Sequence, residues 1–231
     1  GRIRPKEKRN YGRLSIIMKK IFKILLALSM VALILSGCSS KLNEAKKAKN
    51  LLCSGVSDKC DTISRTITDT WYDYIVNDHK TSTLTSTLAS KYNVSEDVVK
   101  QAGELIDCIY AKSTDDIKGE NGIVYMFYLS GGEGWVIQDF STAVNFYIAI
   151  LEVNGTFDEL NDNLNEAYES IQKLSSNEKY YNSLKDLYTY VSGYLDYCQS
   201  PTGNYSQATS YILDYQQNIL RLKNDLDISL K

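Results

Sequence analysis

The residues of this 231-residue chain with chemistry to offer are five cysteines, one histidine and a long run of acids. A Ser/His/Asp or Cys/His arrangement could use only His79. His79 falls at the expected C-terminal end of a helix, where free carbonyls and the helix dipole favour an imidazole for structural reasons alone. No C-x-x-C pair occurs, so a zinc site is not expected. There is no G-x-S-x-G, no H-E-x-x-H and no phosphate-binding glycine loop, and Gly132-Glu133-Gly134 lacks the rest of a dinucleotide fingerprint. The expectation is no catalytic residue, no metal and no cofactor. The acids are the stronger signal. Between Lys118 and Lys173 nine occur with no Lys, Arg or His. Asp158, Asp162, Glu166 and Glu169 share one helical face, where each like-charge pair costs a few tenths of a kcal/mol unless cations relieve it. The face reads either as a dock for a basic protein or divalent cations, or as a solvated surface that keeps the chain soluble. It lacks the turn and glycine geometry of a calcium loop.

Tyrosine crowds the last two helical patterns. Tyr181, Tyr188, Tyr205 and Tyr215 fit the inward seam, with hydroxyls expected at its rim. Tyr190, Tyr197 and Tyr211 fall off it and are candidate binding contacts, because exposed Tyr supplies rigid amphipathic area. The alternative is crevice packing with only the tip in water.

The fifth cysteine, Cys38, closes a different kind of segment. Lys19, Lys20 and Lys23 precede an apolar run, Ile24 to Leu35, which ends in Leu35-Ser36-Gly37-Cys38. The run is shorter than the about 20 apolar residues of a membrane span, and a charged start, apolar middle and small-residue exit mark a signal peptide. The segment resembles the lipobox of bacterial membrane lipoproteins. The resemblance covers residues 18–38 only and implies cleavage before Cys38, diacylglycerol on its sulfur, and anchorage to the outer face of the cytoplasmic membrane. Residues 1–17 are expected to be upstream translated sequence, 18–37 the signal peptide, 38–44 a lipidated tether and 45–231 one helical domain.

Residues 1–37 hold nine of the 26 bases and one of the 28 acids, so a mature chain would carry 17 bases against 27 acids, a formal charge of −10. Such a body is a poor nucleic-acid binder, and anionic head groups repel it, so the lipid must hold it.

Apolar residues recur at steps of three and four from Ala45 through Leu52, Val56, Cys60, Ile67 and Trp71 to Tyr74, which predicts an amphipathic helix ending near His79. Lys80 to Ser90 reads as a Thr/Ser connector, and Ser95 as the cap of a second helix reaching Ile109. Gly119 to Gly134 holds five glycines around an apolar run, Ile123–Leu129, that fits a buried strand or helical turn. Helical stripes follow from Phe140 to Ile150 and from Phe157 to Leu174. They are separated either by a break at Asn154-Gly155, with Thr156 and Glu159 as a capping box, or only by a kink. The last two patterns, Tyr181 to Cys198 and Tyr205 to Leu226, flank Pro201 and Gly203 and should pack antiparallel.

The fold class expected is all-α: an antiparallel bundle of four to six helices with one Gly-rich non-helical segment. Cys53, Cys60, Cys108 and Cys198 allow three disulfide pairings or four buried thiols. Cys53 and Cys60 could pair only if Gly55 breaks the first helix. The function expected is a membrane-anchored, extracytoplasmic binding or protein-interaction module, held in the bilayer through Cys38 and serving an envelope protein or other basic partner. The alternatives are an envelope enzyme using carboxylates, for example a glycan hydrolase, and a passive structural lipoprotein. Cys38→Ala is expected to abolish both lipid labelling and processing before residue 38. Mass spectrometry finding a mature N-terminus elsewhere, or one without acyl mass, would contradict the lipobox reading.

Overall fold

The first amphipathic stripe folds as one helix, α1, over residues 40–76. This is a computed structural model, and it describes residues 40–76, 81–112, 116–118, 124–126, 133–137 and 139–231. Residue 40, the first described, is already helical, so most of the segment expected as a lipidated tether belongs to α1. Gly55 does not break α1. The turn Leu51–Ser57 widens into a π-helix, and Asp58–Val76 continues as α-helix. The widening has a reason in the stripe. Ala48, Leu52, Val56 and Cys60 are three steps of four, 12 residues where three α-turns hold about 11. A π-turn absorbs the extra residue and keeps all four side chains buried. From α5, defined below, Asn163 Nδ2 donates to the Gly55 carbonyl at 3.4 Å. The expected end of the helix near His79 lies outside the described residues.

The Thr/Ser segment is a correction. It forms a strand, β1 (Thr81–Leu84), and a short helix, α2 (Thr85–Tyr92). Ser95 caps α3 (Glu96–Leu105) as expected, its side chain accepting from the Val98 amide at 3.3 Å. The helix stops before Ile109, and the chain turns into β2 (Tyr110–Lys112). Next come β3 (Asp116–Lys118), β4 (Val124–Met126) and β5 (Glu133–Ile137). β5 is the centre of an antiparallel sheet ordered β1-β5-β2, and β3 pairs with β4. The described part of the Gly-rich segment is therefore extended. Gly119, Gly122, Gly131, Gly132 and Leu129 lie outside the described residues.

Four longer helices complete the chain: α4 (Phe140–Val153), α5 (Thr156–Gln172), α6 (Tyr181–Gln199) and α7 (Tyr205–Ser229). Asp139 caps α4 by accepting from the Thr142 amide at 2.7 Å. The α4–α5 junction is a break. Gly155 sits there at φ +74°, a left-handed conformation that suits glycine, and it, not Thr156, is the N-cap of α5. Asn204 and Gln207 form a capping box at the start of α7.

The fold is an all-α bundle, with seven helices among the described residues and a small sheet at one side. The larger core is the α1 stripe closed by α5, α6 and α7. A second core lies between α2, α3, β5 and the other face of α4. Trp135 of β5 fills that core against Gly103 of α3, where an added Cβ would sit 2.3 Å from the indole. The α6–α7 pair is antiparallel: Tyr197 meets Tyr211 and Tyr194 stacks on Tyr215 at 5.3 Å. Leu184, Val191, Leu195, Ile212, Ile219 and Leu222 are buried there, as the three-four rhythm requires. Ile219→Asp is therefore expected to cost more than about 3 kcal/mol, because it strands an unpaired charge in the seam. A chemical-denaturation midpoint equal to wild type would show that the seam lies elsewhere.

Candidate functional site

The site starts from a turn of helix. Thr66, Asp69, Thr70 and Asp73 lie one or two turns apart on α1 and form one wall of a cleft of about 590 Å³. The α2–α3 turn forms the second wall with Lys91, Tyr92, Asn93 and Val94. The end of α4 and the start of α5 form the floor with Tyr147, Ile150, Asn154 and Thr156. The volume falls in the range of small-molecule sites.

Asn93 sets the second wall. It takes φ +54° and ψ 48°, a left-handed conformation that Asn tolerates better than most residues. The Val94 amide then donates back to the Ala89 carbonyl at 3.0 Å, closing the end of α2. That closure turns the Tyr92 ring onto Tyr147, with centroids 4.9 Å apart and planes at 28°. Lys91 Nζ lies 5.1 Å from the centroid of the Tyr92 ring, a cation–π contact. Burial pushes the Tyr92 phenol up to about 12 and raises Tyr147 as well, against a hydrogen bond with Thr66 that acts the other way. Both phenols therefore stay protonated at neutral pH. Asp69 and Asp73 are an i,i+4 pair, with Cβ atoms about 5–6 Å apart by helix geometry. The cleft thus offers two carboxylates, two amide side chains, several hydroxyls and a paired aromatic floor. No group of three metal-ligating side chains forms anywhere among the described residues.

A second polar cluster lies between α1, α6 and α7, with Tyr194 and Ser64 buried and Asp61 and Gln216 half-buried. Tyr194 Oη donates to Asp61 Oδ1 at 2.9 Å, and Gln216 Nε2 donates to the same oxygen at 2.8 Å. Ser64 Oγ lies 2.7 Å from the phenol oxygen; with the phenol proton on Asp61, the serine is the donor. Tyr194 is completely buried, and desolvation, followed by the Asp61 charge, pushes its phenol far above the ordinary range.

The residues singled out from sequence scatter. Cys38 lies outside the described residues. Tyr197 is a correction: it is buried between Tyr211 and Tyr215, because α6 is covered on more than one side. Tyr190 is half-buried against the main core, and Tyr211 is half exposed on α7. Asp158, Asp162, Glu166 and Glu169 are all exposed on α5. Part of the face has a cation from within the chain, since Lys47 of α1 binds Glu166 at 2.7 Å, which raises the lysine. Neither the acidic face nor the tyrosines reach the cleft. Sequence reading missed Asp69, Asp73, Lys91, Tyr92 and Asn93; the one signal available was a pair of acids, one turn apart, on a helix face otherwise rich in threonine.

No protein-family model, curated protein or solved structure matches this chain. Among the described residues, no helix is long and apolar enough to cross a membrane.

The buried phenols make stability pH-dependent in a definite direction. Tyr92 and Tyr197 ionise only at about 12 in the fold but near 10 when unfolded, so the unfolded chain loses protons first as pH rises. Their contribution is complete below about pH 10 and is lost on the way to about 12. Phenolate absorbance is expected to rise together with loss of helical circular dichroism in that window. Smooth titration near pH 10 with helix content unchanged would contradict these burials.

Proposed function

We propose that the chain is a lipid-anchored, extracytoplasmic binding module whose ligand site is the cleft beside α1. The observation that carries this reading is the lining: two carboxylates, two amides and a stacked pair of phenols surround a volume suited to a small molecule. Carboxylates suit an amine, and the amides and threonine hydroxyls of the lining suit hydroxyl groups. The ligand class is a hydroxylated, amine-bearing small molecule of the amino-sugar type.

The lipobox-like segment supports the placement. A lipid on Cys38 would lie only two residues before the start of α1. The cleft-lining residues near Thr70 come about 30 residues further along the same helix, about 45 Å of rise. The helix would then act as a strut that carries the cleft away from the membrane. The carboxylate-hydrolase reading needs two acids flanking a bond from opposite sides, about 5–10 Å apart. Among the described lining residues both acids come from α1, an arrangement that favours binding over that chemistry.

Titration of the mature domain with glucosamine, glucose and a linear diamine, followed by amide NMR, tests the proposal. Glucosamine is expected to move the amides of Thr66–Asp73 and Lys91–Val94 selectively. An Asp69→Asn, Asp73→Asn double variant is expected to weaken that binding about tenfold or more, the loss of charge-assisted hydrogen bonds. Shifts spread over the exposed α5 acids instead, or none with any probe, would contradict it.

A further inference from the structure

Cys60 and Cys198 are the two thiols that the fold brings together. Cys60 lies on α1 and Cys198 in the last turn of α6, and both are completely buried. The Cys198 thiol donates to the Cys60 carbonyl at 3.6 Å, and the two side chains also hydrogen-bond to each other. Geometry keeps Cys53 from Cys60 and sets Cys108 in another core. Cys53 stands seven residues before Cys60 on one continuous helix, about 10 Å of rise, beyond the Cα separation a disulfide spans. Cys108 belongs to the second core, where its thiol donates to the Val136 carbonyl at 3.4 Å. The helices holding the pair are also locked in register one turn away by Tyr194 on Asp61 and Ser64.

We propose that Cys60 and Cys198 are joined as a disulfide in the mature protein, stapling α1 to α6. The proposal rests on the extracytoplasmic reading, because disulfides persist in oxidising compartments. The oxidant is a disulfide, carried by an exported dithiol oxidoreductase or by a small molecule. One cysteine thiolate attacks a sulfur of that disulfide, releasing one donor thiol and leaving a mixed disulfide. The second cysteine thiolate then attacks the protein sulfur and expels the other donor thiol. The two cysteines lose two electrons and two protons; the donor gains both and leaves as two thiols.

The fold also dictates when this happens. Both side chains are completely buried, out of reach of an external disulfide, and the hydrogen bond to Cys60, then burial, raise the Cys198 thiol as well. Oxidation therefore belongs to the folding chain, before α1 and α6 close. Once made, the bond ties positions 138 residues apart and restricts the unfolded chain strongly.

The test is differential alkylation of the protein purified from membranes. It is denatured without reductant and labelled, then reduced and labelled with a second mass. Cys53 and Cys108 are expected to carry the first label and Cys60 and Cys198 the second, with a Cys60–Cys198 linked peptide in the unreduced digest. All four carrying the first label, or a different linked pair, overturns the proposal. A second arm expresses the domain without residues 1–37, reduces it fully and refolds it with glutathione disulfide. Here the bond is expected to form during refolding at least tenfold faster than in the already folded, reduced protein. The oxidised form should melt about 5–15 °C higher than the reduced one. Formation on refolding but not in the membrane form overturns the proposal through the location reading. Failure in both overturns it through the geometry.

Discussion

The apolar stripe of α1, from Ala45 to Trp71, is the strip of side chains onto which α4, α5, α6 and α7 close. Its nine buried apolar residues are each at most 5% exposed, so each transfers nearly its whole side chain out of water. The stripe works only if it stays in phase over its length, and the π-turn at Leu51–Ser57 is what keeps it so. Ion pairs line its edges: Lys41 with Glu178 at 3.5 Å, Lys47 with Glu166, Lys49 with Asp227, and Glu44 with Lys173 at 3.6 Å. Exposed pairs of this kind add little energy each, so they trim the fit of the helix and do not drive it.

Where α1 meets α6, apolar packing gives way to the Asp61–Ser64–Tyr194–Gln216 cluster. A hydrocarbon contact tolerates a small slide, whereas this cluster does not, because a shift of one turn would leave the buried Tyr194 phenol without its partners. The same helix thus supplies bulk burial, register and, through Asp69 and Asp73, a wall of the cleft. Residue types along α1 follow this division: alanine and aliphatic groups in the stripe, polar groups at its margin, carboxylates where it leaves the bundle.

Much of this was legible in the residues. The three-four rhythm of α1 and of the α6–α7 hairpin carries enough phase information to name the buried positions, and the cap at Ser95 marks a boundary. What escaped did so for physical reasons. Thr81–Leu84 is extended because β5 pairs with it across the fold, a partner 50 to 56 residues away that no local pattern announces. Tyr197 was misjudged because α6 sits between α1 and α7, and its buried arc is wider than a two-position seam. The cleft was invisible because its walls come from three separate stretches of chain, and none of its residues stands out within its own stretch.

The central claim is that α1 is one unbroken strut running from the residues just after Cys38 to the wall of the cleft. A distance measurement along it is the most direct test. Spin labels placed at the exposed positions Ser40 and Tyr72 by non-cysteine chemistry span 32 residues of helix, or about 48 Å of rise. Pulsed electron–electron resonance is predicted to give one narrow distribution between about 45 and 50 Å. A broad distribution, or a peak many ångströms shorter, would mean that the helix hinges at Gly55, and the account of how this chain positions its cleft would fail.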